Sequence, residues 1–218
     1  DHCVGQTYCE LFLKQRDARM IEPMRKQFDE ILAKPREFPS LEFKQKGIVD
    51  LWSWCDSLFM APPTWVLLWQ ATGDERYRAA AQRLRQQLQY QPRTQSGGFW
   101  HKLIYPFQMW LDGLYMAAPF YAEYALRFEE PAGFDDLARQ IMLIEHHTRD
   151  PQTGLLYHAW DESKQQRWAN PETGCSPHVW GRAMGWYAMA LVDVLDYLPA
   201  EHAARPAIVN ILNRLIEA

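Results

Sequence analysis

At 218 residues the chain has the length of one domain or a small pair, and its 48% apolar and 23% charged residues exclude disordered and collagen-like classes. Twenty-three Lys and Arg against 27 Asp and Glu leave a net charge of −4 and a pI near 6.0, which argues against a protein that wraps nucleic acid. Short, interrupted apolar runs and four scattered cysteines (Cys3, Cys9, Cys55, Cys175) exclude a membrane-spanning segment, a CxxC metal ribbon and a disulfide framework.

Apolar positions at helical spacing predict helices over 4–18 and 21–33, with Pro23 in a first turn that tolerates it. A loop follows over 35–47. Residues 51–71 read as a strongly apolar helix that Pro62 and Pro63 kink or split. Thr72-Gly73-Asp74 is a stop followed by a start, and helical spacing resumes over 75–90. Past a polar linker with Gly97-Gly98, helices are expected over 106–127 and 134–148. Turn signals at Asp150-Pro151, Thr153-Gly154 and Thr173-Gly174 surround short aromatic runs and predict a hairpin within 150–176. Helices return over 178–198, up to Pro199, and over 204–217. No strand pattern alternates with them, so the expected class is all-α, a single domain over 1–218.

The chain also repeats itself. Residues 54–63 (WCDSLFMAPP) and 110–119 (WLDGLYMAAP) share Trp-x-Asp-x-Leu-aromatic-Met-Ala-x-Pro at an offset of 56, a period that suits two helices and their loops. A weaker third copy starts at Trp180, where WGRAMGWY places Arg182 in the aspartate's slot. Stacked helix pairs present equivalent positions on one side, so Asp56, Asp112 and Arg182 are expected to converge on one rim. Two carboxylates around a cavity let their pKa values separate, one holding a proton that the other has lost. The plainer readings are a first-turn aspartate serving free backbone amides at Asp112 and an internal salt bridge between Arg182 and Asp56.

His101, in GGFWHK, follows two glycines that permit close approach to a ligand, and Lys102 adds positive charge beside it. His158 sits in LLYHAWDE beside Tyr157 and Trp160. Either histidine also reads as an ordinary solvated one. The 10 tryptophans all fall between Trp52 and Trp186. Trp54, Trp110 and Trp180 recur at repeat positions and suit a core, whereas Trp100, Trp160 and Trp168 fall in loops, where flat indoles suit stacking on sugar rings. Glu145-His146-His147 lacks metal-ligand spacing and reads as a solvated charge face, so no metal is expected. Neither Cys55 nor Cys175 has a catalytic base nearby in sequence.

WCDSLFMAPP, GGFWHK, WLDGLYM, YHAWDE and CSPHVWGRAMGWYAMALVDVLDYLP together resemble the unsaturated rhamnogalacturonyl hydrolases of glycoside hydrolase family 105, from about Leu51 to Pro199. The unsaturated glucuronyl hydrolases are a more distant likeness. The resemblance implies an (α/α)6 toroid, six helix pairs around a central pocket, with no metal or organic cofactor. About eight of the twelve helices are legible, so an incomplete toroid, a fragment inactive by itself, is expected. The implied reaction removes an unsaturated galacturonyl residue from the non-reducing end of rhamnogalacturonan oligosaccharides by hydrating its C4–C5 double bond. By that likeness Asp112 matches the general acid/base and Asp56 a second pocket aspartate, although which performs which step stays open. His101 and His158 match sugar-binding histidines, and Arg182 matches an arginine near the uronate. Lys102, Trp100, Trp160 and Trp180 complete the expected substrate contacts.

The expected partner is therefore an unsaturated galacturonyl-rhamnose type oligosaccharide, with neither nucleic acid nor membrane; oligomeric state is not legible. The absence of a leader and of disulfides leans toward the cytoplasm. Two other functions fit the same residues: a conventional glycosidase on this toroid and a non-catalytic carbohydrate-binding protein.

Overall fold

The computed structural model describes residues 4–33 and 61–218. The chain divides into two compact units, 1–89 and 90–218. In the first, α1 (Val4–Gln15), a 3₁₀ turn (Ala18–Met20), α2 (Glu22–Ala33), α3 (Pro62–Thr72) and α4 (Glu75–Gln89) follow in order. Asp17 starts the 3₁₀ turn by accepting from the Arg19 amide at 3.0 Å. Pro62 and Pro63 occupy the first turn of α3, where a missing amide hydrogen costs nothing, so they begin this helix; residues 51–60 of the expected helix lie outside the described residues. Its end is Gly73, whose amide closes on the Trp69 carbonyl at 2.7 Å. Trp65 is the centre of this unit's core, 1% exposed, with Phe28 edge-on at 4.4 Å and Tyr77 at 5.8 Å. Burying side chains of this size contributes about 2 kcal/mol each. Of the repeat's first copy, Trp54, Cys55 and Asp56 lie outside the described residues.

The second unit contains β1 (Gln108–Trp110), α5 (Leu111–Arg127), α6 (Pro131–Thr148), β2 (Ala159–Asp161), α7 (Gly181–Tyr197) and α8 (Arg205–Glu217). Helix α5 is the pivot. It packs against α6 and α7, and α8 covers α6 and α7 in turn. Residues 128–130 alone join α5 to α6, a connection that makes neighbours antiparallel. Eight α-helices are thus present among the described residues, arranged as hairpins, and none of them is long and apolar enough to cross a membrane.

Three expectations are corrected or refined here. The predicted helix over 106–127 starts only at Leu111, because Gln108–Trp110 pairs antiparallel with Ala159–Asp161 in the register Gln108↔Asp161, Met109↔Trp160, Trp110↔Ala159. A short apolar run reads equally as strand or helix, and the strand partner lies about 50 residues away. The hairpin expected in 150–176 survives as bridges Arg149↔Leu156 and Trp160↔Cys175, while the ladder itself runs to β1. Glu145 is also not part of a solvated face. It is 7% exposed and accepts from Arg149, from Arg214 at 2.7 Å and from the Tyr187 hydroxyl at 3.3 Å, tying α6 to α7 and α8.

Candidate active site at the starts of helices α5 and α7

The loop carrying Trp100, His101 and Lys102 is clamped from α6. Arg93 grips the Asp136 carboxylate with two bonds of 2.6 and 2.7 Å, and its guanidinium lies 4.2 Å from the Phe99 ring. Burial opposes ionisation of Asp136, but Arg93, Gln140 and Tyr121 together hold its carboxyl below the usual range. Gln140 accepts from the Phe99 amide at 2.7 Å and donates to the Gly97 carbonyl at 3.0 Å. From the far side Glu162 accepts from the amides of Gln95 and Ser96. The glycine-rich turn is therefore rigid before it delivers His101.

The His101 ring lies parallel to the Trp110 indole, 4.5 Å between centroids, with Tyr105 parallel to both. Close packing against α5 explains Gly113. A β-carbon there would stand 2.4 Å from His101 Nδ1, so any larger residue displaces the imidazole. Burial, aided by the Lys102 charge, pushes the His101 pKa down to about 3. His101 is consequently a neutral ring across the working pH range. Among the described residues expected to bind substrate, Lys102 and Arg182 therefore carry the positive charge, and His101 offers a neutral ring.

His158 sits among three indoles. Trp110 and Trp180 meet it nearly perpendicular, at 5.8 and 6.1 Å, and Trp168 is tilted at 6.5 Å. Trp110 and Trp180 are the extended residues immediately preceding α5 and α7, with backbone angles of φ −127, ψ 145 and φ −128, ψ 112. The weak third copy of the repeat is therefore real in three dimensions. Asp112 and Arg182 are each the second residue of their helix, and the two helices pack together with Tyr115 stacked on Trp186 at 4.7 Å. Asp112 is half-buried in a first turn, where the helix favours a carboxylate. Arg182 is exposed and stands where the helix disfavours a cation; its guanidinium rests 3.8 Å over the Trp180 ring. Among the described residues it has no carboxylate partner.

The remaining expected residues separate into two groups. Lys102 is half-buried, with its ammonium 5.8 Å from the Tyr105 ring, and Trp180 is 40% exposed beside His158. Trp160 does not fit an open sugar platform. It lies in β2, only 5% exposed, with His147 stacked on it at 3.6 Å and its indole N–H bonded to the Thr173 carbonyl. Trp100 is half-buried and packs on Phe107 at 4.9 Å, away from the loop-platform role expected of it. Asp56 lies outside the described residues; of the three charged side chains expected on one rim, Asp112 and Arg182 stand at the matched starts of packed helices. Sequence reading missed Tyr105, Gly113 and Gln108, whose side-chain oxygen accepts the Trp110 N–H at 3.0 Å. Gly113 has a signal in retrospect, as the small residue after Asp112 matches Ser57 after Asp56. Among the described residues no group of three or more His, Cys, Asp or Glu side chains is placed to hold a metal. A cleft of about 790 Å³ is lined by Arg149, Asn210, Arg214 and their neighbours, and none of the candidate residues borders it.

Comparison with known proteins places the fold and the family. The model of Glycosyl Hydrolase Family 88 matches residues 1–66 and 63–218. A solved glycoside hydrolase from family 105 of C. acetobutylicum superposes with a TM-score of 0.81 at 40% identity, covering 98% of this chain and 57% of that one. The unsaturated rhamnogalacturonyl hydrolase YesR of Bacillus subtilis is 32% identical over 145 residues, 64% of this chain and 40% of that protein. Protein Atu3128 of Agrobacterium fabrum is 47% identical over 88 residues, 40% of this chain and 37% of that protein. The chain thus spans under two thirds of the length of these relatives. The fold is all-α, built of helix hairpins of the (α/α)-toroid type. By sequence the chain belongs to Glycosyl Hydrolase Family 88, and in sequence and structure it is similar to glycoside hydrolases of family 105.

Proposed function

We propose that the protein is an unsaturated rhamnogalacturonyl hydrolase that releases an unsaturated galacturonyl residue from the non-reducing end of rhamnogalacturonan oligosaccharides. The observation that carries this reading is the pairing of an acid and a cation at two matched helix starts around one histidine. Asp112 and Arg182 occupy the same position of packed helices, and Trp110 and Trp180 before them both meet His158. An arginine at a helix start adds its charge to the helix's own positive end, an arrangement suited to a uronate and costly without one. The indoles supply flat apolar faces for a sugar ring.

In this reading Arg182 and Lys102 hold the carboxylate of the unsaturated sugar. Asp112 protonates C4 of the vinyl ether, and the oxocarbenium-like centre formed at C5 is stabilised by nearby carboxylate charge. Water adds at C5, its proton returning to the ionised carboxylate, and the hemiketal collapses with release of the neighbouring rhamnose. His101, neutral and locked against Trp110, orients the sugar without altering the charge balance. Asp56 is proposed as a second aspartate that positions substrate or water.

The test is direct. Added to the unsaturated galacturonyl-rhamnose disaccharide, the protein encoded by the native gene abolishes the enol-ether absorbance and liberates rhamnose, and Asp112→Asn slows both by about three orders of magnitude. Hydrolysis of saturated glycosides, or sugar binding without any product, would overturn the proposal in favour of a conventional glycosidase or a binding protein.

A further inference from the structure

The tryptophans of the second unit are almost all spoken for. Trp100 packs on Phe107, Trp110 on His101, Trp160 on His147, Trp180 under Arg182 and Trp186 on Tyr115. Trp168 is different. It is half-buried, its single ring neighbour among the described residues is His158 at 6.5 Å, and its indole N–H has no hydrogen-bond partner there. Part of a flat apolar surface thus stays accessible next to the histidine at the centre of the candidate site.

The loop that carries it is built to hold it still. Asp161 is fully buried at the loop's base, and its carboxylate accepts from the Ser163 amide and hydroxyl at 3.0 and 2.7 Å and from the amides of Gln165 and Gln166 at 3.0 Å each. At the other end Asn170 accepts from the amides of Glu172 and Thr173 at 2.8 and 2.9 Å. Gly174, at φ +81, closes the base: a β-carbon there would stand 2.4 Å from the Asp161 carbonyl oxygen. A mobile indole loses entropy when a ligand immobilises it, and one already fixed in place does not.

We infer that Trp168 is the stacking platform for the sugar that leaves, the ring next to the unsaturated uronyl residue, and that it sets aglycone preference. The inference rests on the proposed function. Asp112, Lys102 and Arg182 serve the acidic ring, whereas the partly exposed Trp168 indole has no charged partner among the described residues and suits the apolar face of a neutral deoxysugar. Asp161 acts as a positioning residue through the loop.

The test compares two substrates, the unsaturated galacturonyl-rhamnose disaccharide and the methyl glycoside of the same unsaturated uronic acid. In Trp168→Ala the ratio of kcat/KM for the disaccharide over the methyl glycoside falls about tenfold, an aromatic contact's worth. Trp168→Phe recovers much of that ratio and Trp168→Leu, which keeps apolar bulk without a ring, does not. The Phe–Leu pair decides the matter if the alanine variant fails to fold. An unchanged ratio, or Leu matching Phe, overturns the platform while leaving the enzyme assignment standing. No turnover of either glycoside by the unmodified protein sinks the parent reading and this inference with it.

Discussion

Two charged clusters in the second unit use the same residue types in opposite states. Around Glu145 every donor is engaged: Arg149, Arg214 and the Tyr187 hydroxyl all converge on one carboxylate that is 7% exposed. Around the starts of α5 and α7, Arg182 meets only the face of Trp180, and His101 Nδ1 is buried without a partner among the described residues. Saturated charge in a core holds helices together, whereas the exposed Arg182 guanidinium, resting on an indole at a helix start, is open to a ligand as the proposed function requires. Burial and bonding separate the two clusters together: Glu145 is buried and fully bonded, whereas Arg182 is exposed and rests on a ring.

Substitutions separate the clusters further. The largest effect is expected at Asp112: Asp112→Asn lowers kcat on the unsaturated disaccharide by about three orders of magnitude while the urea-unfolding midpoint stays near that of the parent. Glu145→Ala reverses the pattern, costing about 3 kcal/mol in urea unfolding because two guanidiniums lose their carboxylate, with KM held by properly folded protein. An equal loss of activity and stability in both variants would erase the distinction. Arg182→Lys comes next. It keeps the charge but loses the planar fork and the stack on Trp180, so KM rises about tenfold with little change in stability.

The mildest probe is pH. Unfolded, the His101 imidazole binds a proton near 6.5, and folded it does so only near about 3. Between those values the unfolded chain holds more protons, so stability is complete above pH 6.5 and declines as pH falls, by about 1 kcal/mol per unit. Asp136, whose pKa is lowered, adds a loss of the same sign at the acid end. His101→Gln should flatten the slope between about pH 6 and 4 in thermal melts. An unaltered slope would mean the ring is not buried neutral.

Much of this was legible from residue order. The helical periods placed seven of the described helices within a few residues of where they lie, and the Trp-x-Asp repeat with its Trp-x-Arg variant located both helix starts. Failures follow from physics that operates beyond a short window. Gln108–Trp110 becomes a strand because its partner is about 50 residues on, and nothing local distinguishes it from an added helical turn. Trp160 is apolar, aromatic and near turn signals, yet its face is taken by His147 from α6, a contact that spacing cannot reveal. His101 loses its charge to burial against Trp110 and Gly113, which only packing determines.

The central claim is that Asp112 and Arg182 address the two ends of one unsaturated uronic acid. Its most direct test is a crystal structure of the Asp112→Asn variant with the unsaturated galacturonyl-rhamnose disaccharide bound. The account predicts residue 112 within about 3.5 Å of C4 and the sugar's carboxylate on Arg182. A sugar bound elsewhere, or with C4 turned away from residue 112 and its carboxylate in solvent, would contradict it.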